Sequence, residues 1–324
     1  MLRAVRETLR QLPTPLAGLA LGIAALGASW ELLLPLQDRA QLAGAAVAAL
    51  LLLLILCKFV LHPLLLWREL AHPVVGGVVP TFSMGTMLIS HALYPLAPAA
   101  ATWLWLLAVA LHLTFLVLFV LHRLHRFELH HMAPSWFVPP VGIVASALTC
   151  PPEATELARN LMWFGLCCYC LLLPLMLYRL IFARRLPRAA RPILAILAAP
   201  ANLCLAGYIS IIDQPSLLLI AVLGTVAQLM TLVIYLAFVE LLRLPFSPAY
   251  AAFTFPVVIS ATAMLKLEQL LLSLSAPADV VGPVHWLAEA ELAGASLMVA
   301  YVALRYLLHY GRFLVPAQWR LRTA

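Results

Sequence analysis

The sequence predicts an all-α integral membrane protein of ten transmembrane helices. They are paired as five helical hairpins, with the kinked odd-numbered helices in a pseudo-fivefold ring around a central pore. Three observations lead there. The chain is 65% hydrophobic and only 10% charged, with a mean hydropathy of +1.02, far from the composition of soluble domains. Apolar stretches recur along all 324 residues, many near the ~20 residues a helix needs to cross a bilayer. The prolines within them repeat at a near-constant period.

The first span, about 16–36, follows Pro15 and shows no small-residue cleavage site leading into a soluble domain, so it reads as a retained span and not a signal peptide. The second, about 40–62, is leucine-rich (GAAVAALLLLLILCKFVL). The third, about 73–94, opens PVVGGVVP, and the fourth, about 101–121, reads WLWLLAVALHLTFLVLFVL. The fifth, about 135–150, contains VPPVGIVAS. The sixth, about 157–180, contains LMWFGLCCYCLLLP, whose Cys167, Cys168 and Cys170 have no His or Cys pair at zinc spacing and read as small buried hydrophobes. The seventh, about 192–212, opens PILAILAAP, and the eighth covers about 216–241. The ninth, about 249–272, carries AYAAFTFPVVISATAM, and the tenth covers about 285–309. No separate soluble domain stands out, so residues 1–324 read as a single membrane domain.

With ten spans both termini lie on one side. That side then holds all but three (Arg39, Arg159 and Lys266) of the 20 Lys and Arg residues, and the positive-inside rule makes it the cytoplasm. The expected location is a bacterial-type inner (plasma) membrane. The net charge of +7 thus reports topology and not a nucleic-acid partner. The acids are commoner on the outer side, where Glu31, Asp38, Glu153, Glu156, Asp213, Asp279, Glu289 and Glu291 are placed.

A proline opens each odd span, and a second helix-disturbing residue follows five to eight positions later. The pairs are Pro15 then Gly22, Pro73 then Pro80, Pro134 then Pro139 and Pro140, Pro192 then Pro200, and Pro248 then Pro256. The leading prolines lie 58, 61, 58 and 56 residues apart, which fits two spans and two connections, a helical hairpin repeated five times. Proline frees a backbone carbonyl and bends a helix. A membrane tolerates this where neighbouring helices or water satisfy the freed group. The odd spans also concentrate the small residues that let helices pack closely, while the even spans suit lipid. Five broken helices in one orientation point to an inner ring with an opening. A packed bundle whose prolines serve shape alone is the alternative.

Four segments in order, HPVVGGVVPTFSMGTMLIS (72–90), APSWFVPPVGIVASALT (133–149), RPILAILAAPANLCLAGYISI (191–211) and SPAYAAFTFPVVISATAM (247–264), carry a family resemblance. The sequence resembles the tellurite-resistance/dicarboxylate transporter family, which includes the bacterial TehA proteins and the plant guard-cell slow anion channels. The resemblance runs from LPTPLAGLALGIAALGASW (12–30) to the tenth span. It implies ten helices as five hairpins about a pseudo-fivefold pore, a homotrimer, and small inorganic anions or organic dicarboxylates as cargo. It also implies a phenylalanine on the ninth helix that blocks the pore. The matching position is Phe255, immediately before Pro256, and Phe253 is the rival; residues two apart on a helix point well apart, so only one faces the axis. The fifth span has no asparagine, which is similar to the branch labelled dicarboxylate or sulfite carriers. The long cytoplasmic tails through which plant channels are phosphorylated are not in this sequence, so that regulation is not expected.

No Asp, Glu, Lys or Arg lies in the middle of an odd span, where an ionisable group would mark a proton relay or a tight ion site. A pore of small residues, hydroxyls and freed backbone holds an anion weakly and passes it quickly. A gated anion channel is the expected function, closed by Phe255 and bent at Gly22, Pro80, Pro139, Pro140, Pro200 and Pro256. Its candidate lining hydroxyls are Ser83, Thr86, Ser146, Thr254 and Thr262, with Lys266 and Glu268 near the outer mouth. One rival is a coupled carrier or exporter of C4-dicarboxylate, sulfite or tellurite oxyanions. Another is a haem-binding membrane subunit of a redox enzyme. Of the 10 histidines, His122, His125, His130 and His131 fall in HRLHRFELHH (122–131), read as a solvated turn, and His112 lies mid-span, where a structural hydrogen bond is expected. No catalytic triad, P-loop or carboxylate pair stands out. The chain is read as a non-enzyme without cofactor or metal, whose partners are the lipid bilayer and the carried anion.

Overall fold

The computed structural model describes residues 2–125, 127–183 and 186–314, and every regular element among them is helical. A short helix, α1 (Leu2–Arg10), precedes α2 (Leu16–Leu33) and α3 (Arg39–Leu61). Next come α4 (Pro63–Ala71), α5 (Val75–Val78), α6 (Thr81–Leu93) and α7 (Pro98–Leu124). The fifth predicted span is a patchwork of 3-10 turns (Pro134–Phe137 and Gly142–Val144) and single α-turns, α8 (Val138–Val141) and α9 (Ala145–Leu148). Five longer helices follow: α10 (Thr155–Phe182), α11 (Ala199–Ile211), α12 (Leu217–Leu241), α13 (Phe255–Ser273) and α14 (Ala278–Leu314).

Among the described residues, eight stretches are long and apolar enough to cross a membrane, so this is a multi-pass membrane protein. The two predicted spans that fall short do so for a stated reason. At the third, α4 and Val75–Leu93 are bent by 108° across Pro73, and counting that pair as one span gives nine. The fifth, Pro134–Leu148, is shorter; fully α-helical it would reach only about 22 Å, against a hydrocarbon core of about 30 Å. Its Pro139–Pro140 pair and Gly142 interrupt the helix type within four residues. Among the basic residues used to orient the chain, Arg126, Arg184, Arg185, Arg320 and Arg322 lie outside the described residues.

Proline-led and leucine-rich segments differ sharply in burial. The windows in Arg188–Ile211 and Pro248–Ser273 are each 83% buried and that in Leu16–Leu33 is 56% buried, against 28–33% for α3, α7, α12 and the stretches containing α10 and α14. The latter present Leu50, Trp103, Leu171, Leu218 and Leu297 outward, as a lipid-facing layer does. Within the buried set, contacts run from α2 to α6, from α6 to α9, from α9 to α11, from α11 to α13, and from α13 back to α2, closing a circuit.

The second prolines act differently from a kink in a continuous helix. Pro200 and Pro256 sit in the first turn of α11 and α13, directly after the 3-10 stretches Arg188–Ala198 and Pro248–Phe253. Pro80 likewise precedes α6. Proline suits a first turn because its missing N–H would have no partner there. At Pro200 and Pro256 the break is therefore a change of helix type, whereas Pro80 separates two α-helical segments. Gly22 is the exception: α2 runs through it uninterrupted.

Two other readings need correction. Cys167 and Cys170 of α10 are exposed and Cys168 is half-buried, whereas Cys204 of α11 is buried. Glu291, placed outside by sequence, is buried between helices and accepts a hydrogen bond from Ser260 of α13 at 2.5 Å.

Candidate functional site

Two cavities lie along the axis of the proline-led segments. The larger, about 540 Å³, opens at the end bearing the leading prolines. All five proline-led segments contribute to its wall, through Gly18, Val78, Val141, Ile193 and Ala252 among others. The wall is mainly apolar; Glu69 and His72 are its ionisable members. The smaller cavity, about 130 Å³, lies toward the far end and is lined by residues including Ala28, Leu88, Leu148, Ile259, Thr262 and Lys266. Phe255 lines both.

The break before α13 sets the direction of that ring. Thr254 follows the 3-10 turn and donates its hydroxyl toward Ala251 O (2.7 Å) and the Gly18 carbonyl of α2 (3.2 Å). Gly22 makes room for it: a Cβ there would stand 2.5 Å from Thr254 Oγ1 and 2.6 Å from Thr254 Cβ, closer than real contacts allow, and 3.1 Å from Phe255 N. Phe253 faces away from both cavities and is fully buried. It packs edge-on against Phe238 of α12 (ring centroids 5.2 Å apart) and beside Tyr250 (4.7 Å).

The hydroxyls expected to line a pore divide in the same way. Thr262 lines the far cavity and bonds Ser29 of α2 at 2.7 Å. Ser83, Thr86, Ser146 and Thr254 line neither cavity. Ser83 and Thr86 turn toward Pro80 O and Phe82 O, and Ser146 is fully buried. Thr81, absent from the sequence reading, lines the larger cavity. Of the second prolines, Pro200 and Pro256 line it, while Pro80, Pro139 and Pro140 stand behind the wall.

His112 of α7 holds two of the breaks together. Its Nε2 lies 2.9 Å from Pro139 O and its Nδ1 lies 3.0 Å from Ser83 Oγ. A carbonyl only accepts, so Nε2 carries the hydrogen and Nδ1 is left as an acceptor for Ser83, whose one hydroxyl hydrogen is shared between it and Pro80 O. Both ring nitrogens are then committed to protein groups, which leaves neither for a haem iron. In the loop after α7, Glu128, His130 and His131 bring ligand atoms within 4.8 Å of one another, but these residues line neither cavity.

At the wide end, Lys58 of α3 is almost completely buried. It donates to Thr14 Oγ1 and Glu69 Oε1, both at 2.7 Å, and Thr14 and Glu69 meet each other. The pair neutralises the one carboxylate on the wall. Side chains also hold the leading prolines: Trp136 Nε1 donates to Pro73 O (2.9 Å) and Tyr306 OH to Pro248 O (2.5 Å).

Residues 13–307 match the family model described as a voltage-dependent anion channel, SLAC1. Two uncharacterized transporters of the archaeon Methanocaldococcus jannaschii are similar. One is 26% identical over 232 residues, covering 64% of this chain and 68% of the relative. The other is 26% identical over 223 residues, covering 58% of this chain and 62% of the relative.

Proposed function

The chain belongs to the SLAC1 voltage-dependent anion channel family, and we propose that it is an anion channel gated by the side chain of Phe255. In this reading the five proline-led segments form a pseudo-fivefold ring within a ten-helix bundle, and the cavities on either side of Phe255 are the two halves of one pore. The wide half faces the cytoplasm, as do both termini, and the protein is a homotrimer in an inner (plasma) membrane.

The observation that carries the reading is that Phe255 borders both cavities. A ring at that point closes the path sterically and by excluding water, which is how apolar constrictions gate. The mostly apolar wall supports weak binding and fast passage of small inorganic anions. The test is planar-bilayer recording of wild type beside Phe255→Ala and Phe253→Ala. Phe255→Ala is expected to carry chloride or nitrate current while wild type is nearly silent. Opening by Phe253→Ala instead would move the gate by two residues.

One observation favours a second reading, a proton-coupled carrier of oxyanions or C4-dicarboxylates. Intramembrane carboxyls often belong to proton relays, and Glu291 bonds Ser260, little more than one turn from Phe255. Uptake that follows a pH gradient and is lost in Glu291→Gln, with no current from any variant, would favour the carrier.

A further inference from the structure

The far cavity contains a cation with no direct ion-pair partner among the described residues. Phe255, Ile259, Thr262 and Lys266 are spaced four, three and four residues apart on α13, which places them on one helical face. All four line the far cavity. The stripe carries an apolar ring at one end and an ammonium roughly 16 Å further along. Lys266 is half-buried, and among the described residues it forms no hydrogen bond or ion pair.

No acid pairs with it directly. Glu31 shares the cavity and keeps its charge, but its two carboxylate oxygens are turned to the Asp38 N–H (2.9 Å) and Ala40 N–H (3.3 Å) at the start of α3 and not to Lys266. Glu268 is paired with His285 at 2.8 Å. The remaining polar members of the wall are His91 and Gln41, both able to donate, and Thr262. A cation withdrawn from water without a partner is unfavourable until a counter-ion arrives.

We propose that Lys266, with His91 beside it in the same cavity, forms a binding site for a small monovalent inorganic anion on the far side of Phe255. One unpaired ammonium offers direct contact to one anion, and the small cavity matches a halide or nitrate better than a dicarboxylate. The site rests on the pore reading for its role, where it holds an anion between the ring and the far mouth. Its existence can be tested without transport.

Purified protein is titrated with sodium nitrate against sodium gluconate at constant ionic strength, reading the thermal unfolding midpoint. A ligand that binds only the folded state raises that midpoint in a saturable way. Wild type and Phe255→Ala are expected to show a saturable nitrate shift, Lys266→Arg to retain it, Lys266→Gln to lose it, and His91→Gln to reduce it. If Lys266→Gln does not fold, the His91→Gln and Lys266→Arg titrations decide. An undiminished shift in a folded Lys266→Gln, or in His91→Gln where Lys266→Gln fails to fold, overturns the site. A larger shift with succinate than with nitrate overturns the ligand class. In the Phe255→Ala background, Lys266→Gln is expected to lower chloride flux at least about fivefold. A Lys266-dependent nitrate shift with no current from any variant would leave the site standing and remove the channel.

Discussion

Gly22 of α2 stands against Thr254, the residue that leads into Phe255, so closely that any side chain at 22 would overlap it. The contact spans 232 positions of sequence and joins the first and ninth predicted spans. Its neighbours on the larger cavity are the ring of Phe255 and the backbone of Gly18. The placement of the ring thus depends on a missing methyl group on another helix.

Gly22→Ala should therefore act on the ring as well as on stability. The nearest atoms include the Phe255 backbone, which cannot rotate away. Overpacking of this kind costs about 1–3 kcal/mol. The thermal midpoint should fall, and the variant should leak anions where wild type does not. Unchanged stability and flux together would count against the contact.

Phe253→Ala and Phe255→Ala should separate packing from gating. Phe253 is enclosed by Phe238 and Tyr250, so its truncation should cost about 3–5 kcal/mol, as for a core phenylalanine. Phe255 borders open volume on both sides and should cost less. Denaturation of both variants in the same detergent checks the order, and a larger loss in Phe255→Ala would reverse the assignment.

The Lys58–Glu69 pair should be strongly coupled. Lys58→Met leaves Glu69 unpaired on the cavity wall, a loss on the order of 3 kcal/mol. Combining it with Glu69→Gln removes the stranded charge, so the double variant should recover most of the loss. A double-mutant cycle reads the coupling, and additive losses would show that the two side chains act independently.

His72 should make stability depend on pH. Its Nδ1 accepts the Val74 and Val75 N–H groups at 3.2 Å each, a role open only to the unprotonated nitrogen. Burial first, and then the positive charge of Arg123, lower its pKa. A base whose folded pKa is depressed contributes stability above its unfolded value, about 6.5, and that contribution is lost as pH falls toward the folded pKa. The thermal midpoint should therefore drop between about pH 7 and about pH 5. His72→Asn, which keeps an acceptor without titrating there, should show a smaller drop. Identical pH profiles would exclude His72 as the cause.

Much of the architecture was legible because membrane insertion imposes simple rules. Length and hydropathy found the straight spans, such as Arg39–Leu61 and Leu217–Leu241, to within a residue or two. The proline period identified which segments are buried. It did not show that Pro200 and Pro256 begin helices after 3-10 turns, because a proline in sequence marks an interruption without specifying the helix type before it. The third and fifth spans were read too regularly for the same reason.

The site was legible in one direction only. Spacing along α13 groups Phe255 with Ile259, Thr262 and Lys266 and leaves Phe253 out, because a helix returns to one face every three or four residues. Nothing local places Glu291 inside the bundle, points Ser83 at His112, or brings Gly22 to Thr254. The sequence alone determined the membrane class, the proline period and the face of α13, since each follows from hydropathy, residue spacing or helical period. Tertiary structure decided which faces meet around the cavities, because close packing between segments distant in the chain depends on shapes that no single segment contains.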